Sequence, residues 1–110
     1  MNNKSTLIAT LSIFASSLAM DVSAETTDFG KIKRTQGHYV PDCRMVVHVE
    51  NISGIERTFR IKDIAGDDDV QSIILMALGT DKNVRIRYEE GLTTGCGTEP
   101  MIHWIDISTN

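Results

Sequence analysis

The sequence predicts a small, mainly β domain with a single helix, its five strands rolled into a barrel. Three observations carry this. Several short segments are β-branched or alternate apolar and polar residues with period two. One segment, and only one, repeats its apolar residues at helical spacing. Three of the strands precede that helix and two follow it.

The first 24 residues stand apart. Met1-Asn2-Asn3-Lys4 carries one cation, Leu7 to Met20 is apolar or small and uncharged, and Val22-Ser23-Ala24 is a small–x–small tripeptide. A positive start, a short apolar run and a small-residue exit form a secretory signal. Cleavage is expected between Ala24 and Glu25, leaving residues 25–110 as one domain. A run of about 14 apolar residues is too short for a membrane span, which needs roughly 20. The formal net charge of −4 is unchanged by loss of Lys4 and Asp21, one charge of each sign. An acidic balance argues against nucleic acid, whose backbone is bound by clustered Lys and Arg, and against an anionic membrane surface.

Cys43 and Cys96, the two cysteines of the chain, both fall in the exported part. An oxidising compartment favours their pairing. The alternative is a catalytic thiol at Cys96 with His103 as its base, which needs a depressed thiol pKa that nothing in the spacing demands.

The elements follow in order. Residues 25–30 are polar and frayed or edge-like, and Lys31 to His38 makes a first, weakly alternating strand. Tyr39-Val40-Pro41-Asp42 is a turn, because Pro fixes φ and Asp bonds nearby backbone. Cys43 to Glu50, with Met45, Val46, Val47 and Val49, is a second strand with much of both faces apolar. Asn51-Ile52-Ser53-Gly54 turns the chain into a third, Thr58 to Ile64, with Phe59, Ile61 and Asp63 on one side. A slip or bulge near its end would turn Ile64 inward.

Gly66-Asp67-Asp68-Asp69 caps the helix and sets carboxylates against its positive end. Val70, Ile73, Ile74, Ala77 and Leu78 form its core stripe, and Gly79 is the expected stop. Leu75 and Met76 fall off that stripe. Either they meet another subunit or the helix is tucked under a loop. In the fourth strand Val84, Ile86 and Tyr88 alternate with Arg85 and Arg87. Gly91 to Pro100 is a Gly/Thr-rich loop carrying Cys96. The last strand, Met101 to Ser108, is apolar on both faces: Met101, Ile105 and Ile107 on one, Ile102 and Trp104 on the other. A terminal strand of that kind again suggests a partner. Three strands, a helix and two strands is the element order of an OB-fold, a five-stranded Greek-key barrel.

The segment Asp69 to Gly91, and above all Val84-Arg85-Ile86-Arg87-Tyr88-Glu89, resembles the helix and fourth strand of the B subunits of subtilase cytotoxin and pertussis-like toxins. Val70-Gln71-Ser72-Ile73-Ile74-Leu75 and Pro41-Asp42-Cys43, with a disulfide partner after the helix, resemble the Shiga toxin B subunit. The resemblance spans about 25 residues. It implies an OB-fold that closes into a homopentamer, with helices lining a pore and a sugar site on the barrel. Tyr88 falls on the tyrosine that helps bind a sialylated glycan in the subtilase type. Tyrosine suits that role, offering an apolar ring face and a hydroxyl. The structural alternative is that Tyr88 closes the barrel core. The chain is shorter than the subtilase-type subunits and lacks the serine-containing turn that completes their site.

No catalytic or metal chemistry is expected. His38, His48 and His103 are scattered without ligand spacing. Asp67-Asp68-Asp69 lacks the alternating oxygens and closing Glu of a calcium loop. Gly91 to Gly97 has neither the Lys nor the following helix of a phosphate loop. Glu89 and Glu90 point to opposite faces, and no Ser–His–Asp set stands out. The expected function is therefore a secreted, non-catalytic subunit, periplasmic or extracellular and free of cofactors. It would recognise cell-surface glycans, sialylated ones included, as a toxin-like homo-oligomeric ring that could carry a separate catalytic subunit. Leu75, Met76, Ile102 and Trp104 would form the subunit contacts. The alternative is an envelope protein-interaction module of the same fold with no glycan.

Overall fold

A computed structural model describes residues 24–64 and 67–109. The expected signal segment, Ala24 apart, and the Gly66 cap lie outside them. The elements are β1 Ala24–Thr26, β2 Gly30–Gln36, β3 Met45–Glu50, β4 Glu56–Arg60, α1 Asp67–Thr80, β5 Asn83–Thr93 and β6 Pro100–Ser108. A 3-10 turn over Pro41–Cys43 sits where the Tyr39 turn was expected.

Strands β2, β3 and β4 form an antiparallel meander. After the helix, β5 returns to pair with β2, β6 runs antiparallel to β5, and β6 meets β4 in parallel at Arg60↔Met101. The circuit β2–β3–β4–β6–β5 closes on itself. This is the OB-fold barrel, with its helix between the third and fourth barrel strands. The polar segment expected at the edge is β1, paired with β5 from Ala24↔Glu89 to Thr26↔Arg87. Gly30 sits at the junction of three strands, opposite both Glu50 and Val84. A Cβ there would lie 2.1 Å from the Val49 carbonyl oxygen and 2.7 Å from Glu50 Cα.

The core is the inner face of the barrel. Val46, Phe59, Ile61, Val84 and Ile86 are fully enclosed, and Ile74 and Ala77 of the helix pack into the same cluster. Val84, Ile86 and Tyr88 all face inward as the alternation predicts. Four expectations need correction. Ile102 is a core residue, not a subunit contact. The register jumps from Arg87↔Trp104 to Tyr88↔Ile102, leaving His103 as a bulge that puts Ile102 on the inner face with Ile105 and Ile107 while Trp104 points out. The helix does not stop at Gly79: Asp81 takes the left-handed conformation (φ 56°) and the Lys82 N–H donates to the Ala77 carbonyl, a Schellman closure. Lys31 holds Asp81 there through its carbonyl at 2.5 Å. Strand β4 ends at Arg60, so Ile64 stays exposed and the Asp63 N–H donates to Asp42 instead. Leu78, expected in the core stripe, is exposed as well.

Candidate binding surfaces

Tyr88 lies inside the barrel rather than on it. It is 6 % exposed, with the Phe59 ring 5.0 Å away and the Arg57 guanidinium 4.7 Å over its face. Arg57 is in turn paired with Glu90. Burial raises the pKa of the Tyr88 hydroxyl, opposed by Arg57 and aided by Glu25, its cross-strand neighbour. In this packing the ring has no open face on which a sugar could stack, so Tyr88 serves the core.

The loops are organised differently. Cys43 and Cys96 are bonded, with Cα atoms 5.2 Å apart. The bridge joins the β2–β3 loop to the β5–β6 loop, the pair through which OB-folds take oligosaccharides and oligonucleotides. Polar contacts reinforce it. Thr94 Oγ1 donates to the Asp42 carbonyl at 2.6 Å, and Arg60 donates to the Cys43 carbonyl and to Glu99. The Asp63 N–H, then Lys62 and Arg44, hold the Asp42 carboxyl below its usual range. Arg60 does the same for Glu99.

On this fixed base the β2–β3 loop presents Tyr39, 93 % exposed. Its ring stacks on His38 at 4.9 Å, and the Val40 N–H donates to His38 Nδ1 at 3.0 Å. The 3-10 turn follows, closed by the Arg44 N–H and Nε on the Pro41 carbonyl. An exposed aromatic held this way loses little conformational freedom on binding. Sequence reading placed Tyr39 in a turn and gave it no role. The available signal was an aromatic at a turn apex beside Pro, where no core position exists.

Of the four residues expected at a subunit contact, Leu75 and Met76 stand half exposed on the outer face of α1, and Trp104 is 39 % exposed on the outer wall of β6. They form two separate patches. Beside Met76 an apolar notch of about 260 Å³ runs between the end of α1 and the end of β6, lined by Thr80, Lys82 and Ile107 among others. On the wall, Arg85 lies over Phe29 at 5.0 Å and over Trp104 at 5.9 Å and pairs with Asp106 at 3.0 Å.

His48 is the one fully enclosed ionisable side chain among the described residues. Its Nε2 bonds the Val84 carbonyl at 2.9 Å, while Nδ1 has no partner. Burial pushes its pKa down, against the Val84 carbonyl and Glu50. Among the described residues no cluster of three or more His, Cys, Asp or Glu could hold a metal ion, and no helix is long and apolar enough to cross a membrane. No family model, curated protein or solved structure matches the chain.

Proposed function

We propose that this chain is an exported, non-catalytic binding module that recognises glycans through its cross-linked loops and assembles as a homo-oligomeric ring. The observation that carries the reading is Tyr39: a solvent-facing aromatic, stacked on His38, on a loop that the Cys43–Cys96 bond ties to its neighbour. A tyrosine ring offers the apolar face of a pyranose a flat contact, with hydroxyls satisfied at the rim. The disulfide fits a non-reducing compartment, periplasm or extracellular space. The likeness of the helix and fourth strand to toxin B subunits supports the ring and leaves room for a separate catalytic partner. A glycan array probed with residues 25–110 tests this. Wild type should bind a defined set of glycans, Tyr39→Ala should lose them, and Tyr88→Phe, which keeps the core ring, should not. An array blank for wild type refutes glycan recognition.

The second reading is an envelope module that captures a protein. It draws on Ile52, 94 % exposed at the β3–β4 turn beside the half-exposed Ile55, a protruding apolar knob of the kind protein contacts bury. On that reading the array is blank and Ile52→Asp abolishes the protein contact.

A further inference from the structure

We propose that the outer stripe of α1 docks on the β5–β6 wall of a second copy of this chain, so that the ring closes head to tail through two different faces. The inference rests on the reading of the chain as ring-forming and says which surfaces meet.

Each face has an apolar centre beside charged groups: carboxylates alone on the helix, and on the wall a mixed row in which one arginine has no ion pair among the described residues. Residues seven apart on a helix differ by only about 20° in direction. Asp68 therefore shares a stripe with Leu75, and Asp69 with Met76; all four are exposed. The helix contains no Lys or Arg, so its outer stripe is apolar with an acidic end. The wall is built the other way. Trp104 and Phe29 supply the apolar surface, and Arg87 is the direct cross-strand partner of Trp104. Asp106 answers the charge of Arg85. Arg87 has only the Thr26 hydroxyl, at 3.2 Å, among the described residues. The wall thus carries one cation with no ion pair among the described residues, next to its exposed indole, although Glu89 stands two residues along the same outward row.

This pattern selects the mode of association. A two-fold axis through either face would set that face against its own copy, Asp68 and Asp69 against Asp68 and Asp69 or Arg87 against Arg87, and like charges in an interface are costly. Pairing stripe with wall places Asp68 and Asp69 within reach of Arg87 and covers Leu75, Met76 and Trp104 together. Because the stripe and the wall are separate patches, a pair of subunits that joins one stripe to one wall leaves the other stripe and wall free, and such a heterologous contact closes into a ring when the rotation permits.

The experiment is light scattering on residues 25–110, non-reducing, for wild type, Met76→Glu, Trp104→Glu and an equimolar mixture of the two variants. Circular dichroism and thermal melts confirm that each is folded, and Arg87→Glu replaces Trp104→Glu if the latter is not. Wild type should have the mass of several subunits and each variant the mass of one. In the mixture one variant keeps a sound wall and the other a sound stripe, so the mass should rise to two subunits and no further. A variant that keeps the wild-type mass, or a mixture that stays monomeric, overturns the head-to-tail pairing and leaves the ring standing. A monomeric wild type overturns the ring itself.

Discussion

Removing the disulfide should take away a large share of the domain's stability while leaving the folded structure in place. Cys43 and Cys96 are 53 residues apart and close a loop of about 54, for which the chain-entropy relation gives roughly 14 cal/mol/K, or about 4 kcal/mol at 25 °C. The native state has little to offset this, because Thr94, Arg60 and Glu99 already hold the two loops together. A domain of this size has on the order of 4–13 kcal/mol in total. The variant Cys43→Ser/Cys96→Ser should therefore lose about 4 kcal/mol in urea denaturation and melt about 15–30 °C lower. Its m-value should rise, since an uncrosslinked unfolded chain exposes more surface. A folded double variant that loses less than about 1 kcal/mol with an unchanged m-value would refute the reasoning, because the unfolded loop would then be compact without the bond.

Two further perturbations probe the barrel. Gly30→Ala drives a Cβ against the Val49 carbonyl and Glu50 Cα, backbone that can yield only by parting β2 from β3; the cost should exceed about 3 kcal/mol, and an unchanged melting temperature would sink the idea. His48 should make the fold acid-sensitive: its folded pKa lies below the ordinary 6.5, so the unfolded chain takes up the proton first and stability falls as pH drops below about 6.5 toward the folded value. Melts between pH 7.5 and 5.5 should show that slope in wild type and not in His48→Gln.

The parts of the fold that were legible in the sequence are those governed by one period. The alternation Val84, Ile86, Tyr88 gave the inner row of β5, and the spacing of Ile73, Ile74 and Ala77 gave the buried side of α1. Single-residue irregularities were not legible. The bulge at His103 reverses the faces of β6, so Ile102 reads as a partner of Trp104 although one faces the core and the other faces out. Asp81 closes the helix because Lys31, 50 residues earlier, grips its carbonyl; no local propensity announces that. Periodicity also says which side of a strand a residue faces and not what lies across the barrel from it. Phe59 and Arg57 cover Tyr88, and the Val84 carbonyl receives His48, through contacts between distant segments. The site moved for the same reason. Tyr88 had a likeness to support it and lost its open face to packing, while Tyr39 had no pattern and takes its proposed role from a loop fixed by a disulfide between residues 53 apart.

On the proposed reading the loop tip and the outer wall use different residues, so recognition and assembly should be separable, with a coupling of definite size. Tyr39 touches neither the α1 stripe nor the β5–β6 wall, so Tyr39→Ala should remain a ring that binds no glycan. Trp104→Glu should do the reverse, leaving a monomer whose single site is intact. Against one soluble oligosaccharide in calorimetry, that monomer and the wild-type ring should then give the same affinity per site. Against a surface densely coated with the same glycan they should differ, because each further site of a ring binds at the high effective concentration set by the first, which is worth about 10²–10⁴ in avidity. Equal retention on the coated surface would mean that the ring cannot present two sites to one plane. Unequal affinity for the soluble sugar would mean that Trp104 itself contributes to the site, and the assignment of recognition to the loops alone would fall.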